Sequence, residues 1–104
     1  MTAQPADPAG SAALARVIAE AIRRVLRDTG REPGAVEPAM LLGADLGLDS
    51  LDIAQTIVLL ERDLGVDPFR HPPAGAGRPA IRTVGDLVDV YGRAGAAPRA
   101  AGAG

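Results

Sequence analysis

Ser50 is the residue whose setting could support chemistry. It lies in the run Asp45-Leu46-Gly47-Leu48-Asp49-Ser50-Leu51-Asp52, at the head of a segment with helical period. The first turn of a helix has unpaired N–H groups and a partial positive potential. Both favour a phosphate attached at that point. Leu48 and Leu51 flank the serine and are placed to anchor both sides of the turn in the core, while Gly47 lets the chain bend in. Taken alone, Asp49-Ser50-Leu51 reads first as a helix cap, since Ser and Asp are among the commonest N-cap residues. The sequence argues against a self-contained serine hydrolase. The one His, His71, lies in a Pro/Gly-rich stretch, and no Gly-x-Ser-x-Gly turn is present. Asp45, Asp49 and Asp52 lack the spacing of a calcium loop. With no Cys and one His, disulfides, protein thiolates and multi-His metal sites cannot be built.

Three segments have the period needed to position this stretch. Over 11–29, Leu14, Val17, Ile18, Ala21, Ile22, Val25 and Leu26 form one apolar helix face. Ser11 is the expected cap and Gly30 the expected terminator. Arg16, Glu20, Arg23 and Arg27 lie opposite, as a solvated charged face. The second helix is expected over 50–64, with Ile53, Ile57, Leu60 and Leu64 as its core stripe, Ala54 and Val58 as an adjacent apolar stripe, and Gly65 as its end. The third is expected over 84–92, with Thr83 and Asp86 as a capping pair. Residues 31–49 form a long connection that carries Val36, Met40, Leu41, Leu42, Leu46 and Leu48 and should pack across the bundle. A short helical turn is expected near Asp67–Arg70, because Pro68 suits a first helical position. Phe69 should plug one end of the bundle, Tyr91 should lie at its edge, and His71 should be a solvated loop residue. No strand pattern is present. The expected fold class is all-α: three or four helices in a small bundle, with a long loop between the first two.

Composition narrows the function. The 104 residues suit one small domain, and a core this size supplies only ~3–5 kcal/mol of net stability. Residues 1–10 and the Ala/Gly-rich 94–104 read as disordered tails around a domain spanning 11–93. A net charge of -2, with one Phe, one Tyr and no Trp, gives neither a basic face nor an aromatic platform for nucleic acid. Apolar runs are too short to span a bilayer, so a soluble cytoplasmic protein is expected. All 11 basic residues are Arg, which together with heavy Ala, Gly and Pro use looks like GC-rich coding.

The octad ending in Asp52, followed by an aliphatic helix closing Leu59-Leu60-Glu61-Arg62-Asp63-Leu64-Gly65-Val66, resembles the acyl carrier protein family. The first helix, the long loop and Arg82-Thr83-Val84-Gly85-Asp86-Leu87-Val88 match that family in order and spacing over roughly 11–93. The resemblance implies a helical bundle without catalytic activity of its own. It implies that Ser50 receives 4′-phosphopantetheine from coenzyme A through a phosphopantetheinyl transferase, with Asp49 and Leu51 as flanking recognition residues. The arm's thiol would then carry acyl or polyketide groups as thioesters, supplying sulfur chemistry to a chain that has no Cys.

Between Asp45 and Asp67 there are six acids and one Arg, a net charge of -5, against +3 for the remainder. An acidic docking patch for basic partner enzymes is therefore expected. Asp45, Asp52 and Glu61, with Ala54 and Val58, are its candidate residues, and a ketosynthase, an acyltransferase and modifying enzymes are the implied partners of a monomeric carrier. No metal site is expected. Gln55 and Arg62 replace acids usual in fatty-acid carriers, and the Pro/Gly segment 71–79 replaces the family's third helix. The weakened acidic helix, with the Met start and the short tails, suggests a freestanding carrier of a specialised pathway; the tails suit linkers of a domain within a larger synthase equally well. Two other readings stand beside it: a peptidyl or aryl carrier of a nonribosomal pathway, and a helical interaction module in which Ser50 is only a cap.

Overall fold

A computed structural model describes residues 8–70 and 80–96. Over these residues the protein is an all-α bundle of three helices, α1 (Pro8–Asp28), α2 (Ser50–Leu64) and α3 (Val84–Arg93). The helix α1 packs against both others, and these are the two helix pairings of the fold. Its inner face is the expected one: Leu14, Ile18, Ala21, Ile22, Val25 and Leu26 are buried. Its start is not. The helix begins at Pro8, a residue whose fixed φ and missing N–H suit a first helical position. Ser11 therefore lies within the helix and does not cap it. Residues 1–7 of the expected N-terminal tail, His71 with the rest of 71–79, and 97–104 of the C-terminal tail lie outside the described residues.

The end of α1 is built so that the chain leaves it in a defined direction. Gly30 has φ of 80°, in the left-handed region that favours glycine. Its N–H donates to the Arg27 carbonyl at 3.0 Å, and the Arg31 N–H donates to the Leu26 carbonyl at 2.8 Å. This pair is a Schellman motif. The Thr29 hydroxyl adds bonds to the Val25 and Leu26 carbonyls.

The long connection 31–49 does pack across the bundle. Leu42 and Leu48 are buried, and Val36, Met40 and Leu46 lie against the core. Leu41 departs from expectation and is 40% exposed. The stretch reaches the start of α3 through one isolated bridge, Leu41 to Thr83. There the Val84 and Gly85 N–H groups donate to the Met40 and Pro38 carbonyls at 3.0 and 2.9 Å, and the Leu42 N–H donates to the Arg82 carbonyl at 2.9 Å. Thr83 and Asp86 form the expected capping box of α3. Pro68–Arg70 is a turn, not a helix, in which the Asp67 carboxylate accepts from the Phe69 and Arg70 N–H groups.

Tyr91 is not at the edge of the bundle. It is fully buried, with its ring centroid 6.0 Å from that of Phe69. Its hydroxyl has no hydrogen-bond partner among the described residues. Burial, together with the charges of Asp67 and Glu61, pushes its pKa above the ordinary phenol value. Beyond α3, the Ala96 N–H donates to the Tyr91 carbonyl and Ala96 packs on the core, so order continues two residues past the expected start of the tail.

Candidate functional site

The N-cap of α2 is Asp49, not Ser50. Asp49 is extended, with φ of -96° and ψ of -175°. Its carboxylate accepts from the Asp52 N–H at 2.8 Å, and the Asp52 carboxylate accepts in return from the Asp49 N–H at 3.1 Å. Aspartate here does what Glu usually does in a capping box, because a cap residue and its third neighbour face each other across the first turn. Ser50 is thereby released from capping. It is the first residue of the helix, it is exposed, and its hydroxyl makes no hydrogen bond among the described residues. The Ser50 and Leu51 amides, likewise, have no acceptor among those residues. The start of α3 differs: its first two amides are taken by the Met40 and Pro38 carbonyls. The positive end of α2 is therefore open beside a free hydroxyl, which suits an anionic group attached there.

The residues flanking Ser50 divide. Leu48 is buried and anchors the turn, as expected. Leu51 is 65% exposed and anchors nothing in the core. Two residues after the extended cap, the second position of the helix faces outward. Leu51, Ala54 and Val58 lie at i, i+3 and i+7, on one exposed face of α2. With Val25, Thr29 and Leu59 they line an open groove of about 500 Å³ between α1 and α2. Val58 is 56% exposed. Glu61 is exposed one turn beyond it.

Asp52 must be withdrawn as a docking residue. It is 5% exposed and faces inward. Its Oδ2 accepts from Arg31 Nη2 at 2.5 Å, and a second guanidinium nitrogen, Nη1, donates to the Gly47 carbonyl. The Arg31 bond, with the Asp49 N–H, holds the Asp52 pKa below the usual carboxylate value against the opposing effect of burial. Asp45 is exposed but lies outside the groove, and its carboxylate accepts from the Leu41 N–H at 2.7 Å within a turn. Asp67 is likewise engaged in its own turn. Four of the six acids counted between Asp45 and Asp67 thus have hydrogen-bonded structural duties, which leaves Glu61 and Asp63 as the exposed acids of this stretch without one. The surface beside Ser50 is more apolar than acidic.

Two features of the site do not follow from residue type. The buried residues of α2 are Asp52, Thr56, Leu60 and Leu64, with Ile53 and Ile57 only partly covered. Thr56 enters the core because its hydroxyl donates to the Asp52 carbonyl at 2.9 Å, one turn back, and so carries its own partner. Arg31 is the second: its signal in the sequence, an Arg directly after a helix-ending Gly, is local, whereas its partners Gly47 and Asp52 are distant. Among the described residues no group of three metal-ligating side chains is present, and no helix is long and apolar enough to cross a membrane. No base stands within hydrogen-bond distance of the Ser50 hydroxyl among those residues.

Compared with protein-family models, curated proteins and solved structures, the chain finds no match.

Proposed function

We propose that this protein is an acyl carrier protein modified on Ser50 with 4′-phosphopantetheine. The observation that carries the reading is an exposed Ser hydroxyl at the first position of α2, relieved of capping by Asp49 and set beside two open amides. The octad around it, in register with the rest of a carrier-like chain, adds the likeness to the family. In this reading a phosphopantetheinyl transferase takes the proton from Ser50 Oγ as that oxygen attacks the phosphopantetheinyl phosphorus of coenzyme A; the Oγ–P bond forms, the P–O bond of the diphosphate breaks, and adenosine 3′,5′-bisphosphate leaves. When bound, the arm supplies the thiol on which acyl or polyketide groups ride as thioesters. The chain's own part is to hold the hydroxyl outward, to stabilise the attached phosphate with the start of α2, and to offer Leu51, Ala54 and Val58 as an apolar contact. Ketosynthase, acyltransferase and modifying enzymes would dock there, in the cytoplasm, on a carrier that catalyses nothing itself.

The test is intact mass after incubation with coenzyme A and a broad-specificity phosphopantetheinyl transferase. The expected result is a gain of one phosphopantetheinyl group in the parent and none in Ser50→Ala. No gain with a panel of such transferases, on protein shown by circular dichroism to be helical, would overturn the reading and leave the exposed α2 face as that of an unmodified interaction module.

A further inference from the structure

Asp52 is the one buried carboxylate among the described residues. Its counterion comes from Arg31, 21 residues earlier in the chain. The same guanidinium also holds the Gly47 carbonyl. One planar fork therefore grips the backbone three residues before Ser50 and a side chain two residues after it. Few side chains could do this: Arg presents several N–H groups in a rigid plane, whereas Lys is a point charge.

The fork is itself held. The Schellman motif at the end of α1 directs Arg31 out of the helix, and Arg31 Nε donates to Thr29 Oγ1 at 3.1 Å. Gly47 bends toward it with φ of 71°, and a Cβ at that position would stand 3.3 Å from Arg31 Nη1. The positive φ favours glycine there, and a Cβ would press on the guanidinium and require it to give way. Ser50, by contrast, makes no side-chain bond among the described residues, so its position is inherited wholly from the backbone of 47–52.

We propose that Arg31 is a positioning residue for Ser50: by clamping the Gly47 carbonyl and the Asp52 carboxylate to the end of α1, it sets the geometry in which the hydroxyl is offered to a modifying enzyme. The proposal rests on the reading of Ser50 as a modification site. It goes beyond that reading by giving the first helix a part in the modification. Without Arg31, Asp52 would be buried with no counterion, and the capping box it shares with Asp49 would open.

Two readouts test it, on the full chain and with coenzyme A and a phosphopantetheinyl transferase as probe. The first is backbone amide exchange. Arg31→Ala should speed exchange at the Asp49 and Asp52 amides by about tenfold or more, the factor equivalent to one charge-assisted hydrogen bond, and leave Thr56–Leu60 unchanged. The second is loading. Arg31→Ala should lower kcat for loading by about tenfold, with KM for the carrier unchanged because the Leu51–Val58 face is intact. Thr83→Ala, which removes the cap of α3 without touching Arg31, Gly47 or Asp52, should load at the parental rate despite its own loss of stability. Arg31→Lys keeps the charge but not the second arm, and should load at an intermediate rate; it serves also if Arg31→Ala fails to fold. Unchanged exchange at Asp49 and Asp52 would overturn the proposal, as would equal slowing by Thr83→Ala or a parental rate in Arg31→Lys. A parent that is never loaded would overturn the modification reading instead, and with it this purpose for the clamp, even where the exchange data show the clamp itself.

Discussion

Replacing Gly47 with Ala separates the cost of a left-handed backbone from the cost of displacing Arg31. Gly30 supplies the control. Both glycines have positive φ, 71° and 80°, so an Ala at either carries a conformational penalty of roughly 1–2 kcal/mol. They differ in what the new methyl meets. At Gly30 nothing lies within 4 Å, whereas at Gly47 the Arg31 guanidinium is 3.3 Å away. That contact is with the far end of a flexible side chain, so the guanidinium must yield to the methyl, and the expected cost is its bond to the Gly47 carbonyl. The bond is solvent-exposed and is worth about 1 kcal/mol net. Gly47→Ala should therefore destabilise by about 1 kcal/mol more than Gly30→Ala, equivalent to a further ~4–8 °C in Tm for a domain of this size. Urea unfolding monitored by circular dichroism measures the gap as a difference in midpoint at constant m-value. In an Arg31→Ala background the gap should close. Equal costs for the two glycines, or a gap that persists without Arg31, would refute the reasoning.

Three further outcomes are expected. Asp49→Ala should cost about 1 kcal/mol through the lost cap, whereas Ser50→Ala should stay within ~0.5 kcal/mol of the parent because Ser50 has no partner to lose; thermal melts of the two variants check this. Asp52, held by Arg31, and Asp86, held by the Thr83 and Arg82 N–H groups, both have folded pKa values below the ordinary one. Their contribution is present above the unfolded value and is lost as pH falls through the folded one, so urea midpoints should be flat above about pH 5 and fall below about pH 4, with Asp52→Asn flattening part of that fall. The pKa of Tyr91, the only Tyr in the chain, is raised by burial. Its contribution is present below about pH 10 and is lost as pH rises further, so phenolate absorbance should grow together with loss of helical ellipticity; titration near pH 10 with the helices intact would contradict its burial.

What was legible in the sequence was whatever repeats locally. Seven apolar positions along α1, six of them buried and Val17 partly so, define its inner face without reference to any other element. Thr83 and Asp86 lie three residues apart and meet within one turn. The unread part lies where polar residues enter the core. Asp52 and Thr56 look like surface residues by type, yet the first is buried with a distant arginine and the second with the carbonyl one turn behind it. Leu51 shows the converse, an apolar residue turned outward because the helix starts one residue before it. The Asp49-Ser50 pair was ambiguous for a related reason. Either residue can cap a helix, and the choice depends on which third neighbour faces it. Arg31 illustrates the limit: its end of the clamp follows from a Gly-terminated helix, but Gly47 and Asp52 reach it only after the loop has closed.

The loop between α1 and α2 also bears on how freely the chain can change length. Its carbonyls at Pro38 and Met40 serve as the acceptors for the first amides of α3, so 38–42 belongs structurally to a helix that follows some forty residues later. One residue inserted there would shift both bonds out of register. Slack is confined to the exposed stretch around Gly34 and Ala35, where lengthening adds only a logarithmic closure cost. A peptide tag grafted between Gly34 and Ala35 should leave the Ser50 end of α2 undisturbed, and insertions and deletions accumulated by natural variants should concentrate at the same point.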